Sequence, residues 1–214
     1  MSFDNSFSSD GRLFQIEYAT QAIKLGSIII GIKTNFCVLL LLEKKKDDIL
    51  NENTFGQKMI RFNDSLGCVI SGLTSDARYL VDQIHVKLEN IFFVSNETSS
   101  VENCARITLK IASFLEDGNE QKFFKNRPLG LAFLLGGFDL DGLVLLQVDP
   151  AGILKKKEIA SLGSGQEESL FIIKEAYRRN MSIEETLNLG EKTLKVLTEK
   201  RFDFNQHENF LVKK

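Results

Sequence analysis

Four groups of residues in this sequence have types and spacings that chemistry could use. Cys37, Cys68 and Cys104 are odd in number, far apart and set among apolar neighbours. A metal site needs clustered thiolates or imidazoles, so these thiols read as buried and free, in a reducing compartment. His85 and His207 are too distant in sequence to form a local ligand pair. Asp139-Leu140-Asp141-Gly142 begins like a calcium loop, but the later ligands of that loop are missing, and it reads as a hairpin turn. Gly163-Ser164-Gly165 invites a phosphate, yet the lysine and the spacing of a P-loop are absent. Ser164 with Glu167 reads instead as a capping box that opens a helix. No metal and no cofactor is expected.

Composition narrows the partners. A net charge of −2 gives no electrostatic reason to bind nucleic acid or an anionic membrane. The longest apolar run, 37–42, is far short of a membrane span, and the polar N-terminus with Asp4 lacks a secretory core. A cytosolic or nuclear protein is expected. A chain of 214 residues suffices for one sizeable domain or, as the lesser alternative, two small ones.

The elements that would position these groups follow from periodicity. Asp10-Gly11 makes a turn ahead of an amphipathic helix over 13–25. Phe14, Tyr18 and Ala22 recur there at i, i+4 and i+8, with Leu13, Ile16 and Ile23 near the same stripe and Arg12, Gln15 and Gln21 facing outward. Gly26 is expected to stop the helix by taking a left-handed conformation. The runs 28–32 and 37–42 read as strands, the second ending at Glu43, and their unbroken hydrophobicity implies cover on both faces. Lys44-Lys45-Lys46-Asp47-Asp48 reads as a solvated loop. Residues 58–62 and 66–71 form a hairpin bent at Asn63-Asp64.

Two helices follow. One starts near Thr74-Ser75-Asp76 and carries Ala77, Leu80, Val81, Ile84, Leu88 and Ile91. The other is opened by a Ser99-x-x-Glu102 capping box and has Val101, Ala105, Leu109 and Ala112 inward. After a polar stretch over 116–127 come strands over 129–138 and 143–148. An Asp149-Pro150-Ala151-Gly152 turn and short strands up to Ser161 follow. The next helix turns Leu170, Ile173 and Tyr177 inward. A last helix, capped by Ser182 with Glu185, carries Ile183, Leu187, Leu194 and Leu197, and Phe210-Leu211-Val212 reads as a final strand. Strand pairs alternating with helix pairs give an α+β fold, a four-layer αββα sandwich with the sheets inside.

Ser8-Ser9-Asp10-Gly11-Arg12-Leu13-Phe14-Gln15-Ile16-Glu17-Tyr18-Ala19 closely resembles the N-terminal signature of proteasome alpha-type subunits. So do Ala22-Ile23-Lys24-Leu25-Gly26-Ser27 and the strand ending in Gly31-Ile32 that follows. The same family is resembled by Ile70-Ser71-Gly72-Leu73-Thr74-Ser75-Asp76-Ala77-Arg78 and by Arg127-Pro128-Leu129-Gly130. Asp149-Pro150-Ala151-Gly152 and Ile159-Ala160-Ser161-Leu162-Gly163-Ser164-Gly165 match it as well. Residues 22–27, Glu116-Asp117-Gly118 and Gly136-Gly137-Phe138-Asp139 are most similar to the fifth alpha type. The resemblance implies the αββα sandwich of N-terminal-nucleophile hydrolases, with a tail over 1–12 on the pore side and one domain over 13–214. It implies a seat in a seven-membered ring of alpha-type subunits, stacked on beta-type subunits that hold threonine nucleophiles. A regulatory particle or other activators would dock there, in ubiquitin-dependent degradation in cytoplasm and nucleus.

The resemblance also implies roles for single residues. Beta-type catalysis needs a threonine hydroxyl at a free N-terminus, whose own amine acts as base. Here Ser27 follows Gly26, its amine held in a peptide bond, although Glu43 and Lys58 fall where beta-type subunits carry their acid and lysine. A non-catalytic chain is expected; the alternative is a hydrolase that cleaves itself before Ser27. Lys58 would lie in a pocket between ring neighbours and meet the terminal carboxylate of an activator, with Gly11, Arg12 and Leu13 lining that pocket. Phe14, Glu17 and Tyr18 would form the ring-contact face of the first helix, and Ser9, Asp10 and Tyr18 the gate turn. There the sequence departs from the family. Ser9 replaces the usual proline, Phe3-Asp4 sits closer than the usual Tyr-Asp pair, and the final strand and acidic tail are reduced to 207–214.

Overall fold

Apolar strands need cover on both faces, and the architecture supplies it. The computed structural model describes residues 7–43, 58–112, 128–198 and 207–213. In chain order, helix α1 (Phe14–Lys24) precedes β1 (Ile29–Lys33) and β2 (Cys37–Glu43). The hairpin β3 (Met59–Asn63) and β4 (Leu66–Gly72) leads into α2 (Thr74–Ser95) and α3 (Val101–Ala112). Strands β5 (Leu131–Asp139), β6 (Gly142–Val148), β7 (Leu154–Lys156) and β8 (Ile159–Leu162) follow, then α4 (Gln166–Ala176), α5 (Ile183–Leu197) and β9 (His207–Lys213).

Two antiparallel sheets result, one in the order β8-β1-β2-β9 and the other β3-β4-β5-β6-β7. Successive side chains of a strand point to opposite faces, and β2 divides its residues accordingly. Val38, Leu40 and Leu42 enter the core between the sheets, against Val69, Leu134 and Leu145. Leu39 and Leu41 enter a second core with Ile173 of α4 and Leu189 and Leu194 of α5. On the far side, Cys68, Ile70, Phe133 and Leu135 pack beneath Leu80 and Ile84 of α2 and Ala105 of α3. Three apolar layers thus separate four layers of secondary structure, giving the αββα sandwich. The three cysteines are buried and free. No helix among the described residues is long and apolar enough to cross a membrane.

The termini of the helices differ from local expectation in two places. Ser182 and Glu185 form the expected box at α5, with Glu185 N–H donating to Ser182 Oγ at 3.2 Å and Ser182 N–H to Glu185 Oε2 at 2.7 Å. At α3, however, Glu102 turns to Arg106 and Lys156. The first amides go to Asp139 of β5, from Val101 at 2.8 Å and from Glu102 at 3.4 Å. At α4 the cap is Gly165, with φ 73° and no side-chain acceptor. Ser164 there donates its N–H to Gly26 O at 3.1 Å instead of closing a box with Glu167.

Strand β9 pairs along all of β2, from Cys37↔Lys213 to Glu43↔His207. The expected loop at 44–48, the polar stretch over 116–127 and the Phe3-Asp4 pair lie outside the described residues.

Candidate functional site

The site grows from the junction of α1 and β1. Helix α1 buries Ala19 and Ile23 and rests on β4 and β5. Ser71 Oγ donates to Ile23 O at 3.2 Å, tying the end of the helix to the strand beneath. Gly26 is required there for closeness, not handedness. Its φ is not positive, but a Cβ on it would strike Ser71 Oγ and come within 3.0 Å of the Gly72 amide nitrogen. The left-handed glycine belongs to the opposite wall: Gly163 has φ 90°, and a Cβ there would fall on the Ser27 carbonyl. With Ser164 N–H on Gly26 O, the turn 163–165 clamps the Gly26–Ser27 peptide from outside.

Ser27 is 1% exposed. Lys58, the residue before β3, donates from Nζ to Ser27 Oγ at 3.1 Å. Glu43 closes the group from the end of β2: its Oε2 accepts the Ile28 N–H at 3.3 Å, and its own N–H goes to Ile28 O at 3.0 Å. Ser27, Glu43 and Lys58 are therefore assembled in one place, with lysine and hydroxyl in contact. The Ser27 nitrogen is an amide in mid-chain, with no lone pair available as a base.

A second cluster faces outward at the start of α1. Ser8 and Gly11 close a turn, with Gly11 N–H on Ser8 O at 2.9 Å and Arg12 N–H on Ser8 Oγ at 3.0 Å. Gly11 takes φ 72°, which suits glycine, and Ser9 and Asp10 stand at the tip of this turn. Arg12 grips Glu17 with a fork, Nε to Oε1 at 2.8 Å and Nη2 to Oε2 at 2.6 Å. That hydrogen bond and charge raise the Arg12 pKa and hold the Glu17 carboxyl below its ordinary value. Arg12 also lies 5.5 Å from the Phe14 ring centroid, and Phe14 stacks on Tyr18 at 6.4 Å. Phe14 is 42% and Tyr18 62% exposed. The expected apolar stripe is thus split: of its members Ile23 faces the sheet, beside Ala19 from outside the stripe, while the aromatic pair Phe14 and Tyr18 is exposed.

Of the residues singled out in the sequence, Ser27, Glu43 and Lys58 come together, and Arg12, Phe14, Glu17 and Tyr18 form the second group. Leu13 sits at the N-cap position of α1 with no side-chain cap. The clasp of 163–165 on Ser27 is not foreseen from the sequence. Its signal was the pair of glycines directly after a strand, a pattern that asks for positive φ and close backbone approach.

Two family patterns match the chain: "Proteasome subunit" over residues 23–210, and the N-terminal signature of A-type proteasome subunits over residues 5–22. Among curated proteins, the alpha type-5 proteasome subunit of Trypanosoma brucei brucei is 38% identical, covering 92% of this chain and 80% of its own. A probable alpha type-5 proteasome subunit of Schizosaccharomyces pombe is 36% identical, covering 93% of this chain and 81% of its own. The alpha type-5 proteasome subunit of Caenorhabditis elegans is 34% identical, covering 98% and 84%. The N-terminal signature coincides with the turn and most of α1, the segment that precedes Ser27. On these matches, which span nearly all of its length, the chain belongs to the proteasome alpha-type subunit family.

Proposed function

We propose that this chain is a non-catalytic, structural seat in the alpha ring of a 20S proteasome, related to the alpha type-5 subunits. The observation that carries the reading is the Gly26–Ser27 peptide, buried and hydrogen-bonded behind α1. A hydroxyl nucleophile of this fold needs a terminal amine, and here that nitrogen is an amide. The outward Phe14–Tyr18 pair and the Arg12–Glu17 fork would then meet a neighbouring alpha-type subunit. Ser9 and Asp10 would lie toward the pore. Lys58, with Gly11, Arg12 and Leu13 of the ring's surface, would receive an activator's terminal carboxylate. Beta-type partners carrying threonine nucleophiles would supply the peptidase activity, in cytoplasm and nucleus.

The assembled Ser27–Lys58–Glu43 group favours one rival, a hydrolase that frees Ser27 by cutting before it. Intact-mass measurement separates the two. The proposal predicts the unprocessed 24.2 kDa chain. A species beginning at Ser27 would overturn it.

A further inference from the structure

We propose that Ser27 is the positioning residue of the Lys58 docking site. The inference rests on the reading of Lys58 as the group that meets a terminal carboxylate. A lysine ammonium sits on a flexible four-carbon stem, and fixing it costs side-chain entropy each time a ligand binds. An acceptor already in place removes most of that cost, and Ser27 Oγ is such an acceptor at 3.1 Å from Lys58 Nζ.

What qualifies Ser27 is its immobility. It is 1% exposed. The carbonyl before it accepts the Ser164 N–H at 3.1 Å, and its own carbonyl packs against the Cα of Gly163 so closely that no Cβ fits. The residue after it is bound twice to Glu43, through the Ile28 N–H at 3.3 Å and the Ile28 carbonyl at 3.0 Å. Both sheets and the turn before α4 thus converge on the backbone that carries this hydroxyl. Lys58 is tethered just as closely, its carbonyl accepting the Ile70 N–H at 2.9 Å. As a neutral acceptor, Ser27 orients the ammonium while adding no charge of its own beside it, as a carboxylate at the same position would. The hydroxyl that would attack a carbonyl, were its amine free, instead holds a lysine in register.

The test uses the assembled particle containing this chain. A seven-residue peptide with a free C-terminal carboxylate and a benzoylphenylalanine beside it is photo-crosslinked, in parallel with its amide-ended twin. Adducts are counted on this chain alone by mass spectrometry, so that other seats do not contribute. The unaltered particle should label with the acid in preference to the amide, and Lys58→Met should abolish that preference. If the preference is absent, or survives Lys58→Met, the docking reading itself fails. With that reading intact, Ser27→Ala should reduce the preference about tenfold, and Ser27→Thr, which keeps the hydroxyl, should restore it to within about threefold. Ser27→Cys, nearly isosteric but a weak acceptor, should fall between them and guards against a failure of Ser27→Ala to assemble. A preference unchanged in both Ser27→Ala and Ser27→Cys would overturn the role of Ser27 while leaving Lys58 in place.

Discussion

Asp139, the last residue of β5, accepts the Val101 N–H at 2.8 Å, so a hairpin turn in one sheet caps the helix that lies upon it. The same carboxylate takes the Glu102 N–H at 3.4 Å. Both amides belong to the first turn of α3, where no intrahelical partner exists. Asp139→Ala should lower stability by about 1 kcal/mol, and Asp139→Asn, which keeps an acceptor, by less than half of that. Thermal denaturation reads the difference. Equal melting points for Asp139→Ala and the unaltered chain would remove the cap from the account.

The outward face of α1 carries the assembly claim. Phe14→Asp combined with Glu17→Lys should block incorporation into the ring while leaving the circular dichroism of the free chain largely intact. Both side chains are partly exposed and lie outside the buried face of α1, so the core beneath the helix does not depend on them. Normal incorporation of the double variant would contradict that placement.

Acidification should loosen the start of α1. The Arg12 fork depresses the Glu17 pKa, so its contribution is present above the unfolded glutamate value and is lost as pH falls through the lower, folded one. Arg12 stays protonated throughout. Hydrogen exchange over residues 7–18 should therefore be slower near neutrality than in acid, after correction for intrinsic rates, and Glu17→Gln should erase the difference. Identical pH profiles for the two chains would refute the coupling.

The buried thiols should be inert in the native state. Burial pushes the Cys104 thiol up to about 12, against a weaker opposing effect of Thr108, and raises Cys68 well above the ordinary thiol value. The protonated forms are favoured by folding, so this stability is complete below the unfolded thiol value and is lost as pH rises toward the folded one. Alkylation by iodoacetamide at neutral pH should be at least about a hundredfold slower in the native chain than in denaturant. Comparable rates would mean that the α2–α3 layer opens readily.

How much was legible in the residues depended on how local the cause was. β1 and β2 announce themselves because both faces of each are covered, and an unbroken apolar run records that directly. The cap at α5 is written within four residues, and it forms as spelled. The caps at α3 and α4 depart from the local pattern for the complementary reason. At α3 the first two amides go to an acceptor some way along the chain, Asp139, while Ser100 and not Ser99 takes the third, and at α4 a left-handed glycine replaces the side chain altogether. The site divides in the same way. Ser27, Glu43 and Lys58 could be singled out one by one, but the contact between Lys58 and Ser27 depends on how two sheets stack. Local sequence points Gly26 to helix termination, whereas its missing side chain makes room for Ser71 of the neighbouring sheet. Apolar periodicity also could not tell the face of α1 that meets its own sheet from the aromatic face left outward.

The central claim is most directly tested by native mass spectrometry of the particle purified through a C-terminal tag on this chain. The account predicts a large assembly holding this chain intact, residues 1–26 included, as two copies among distinct alpha-type and beta-type partners. A monomer, or a chain that begins at Ser27, would contradict it.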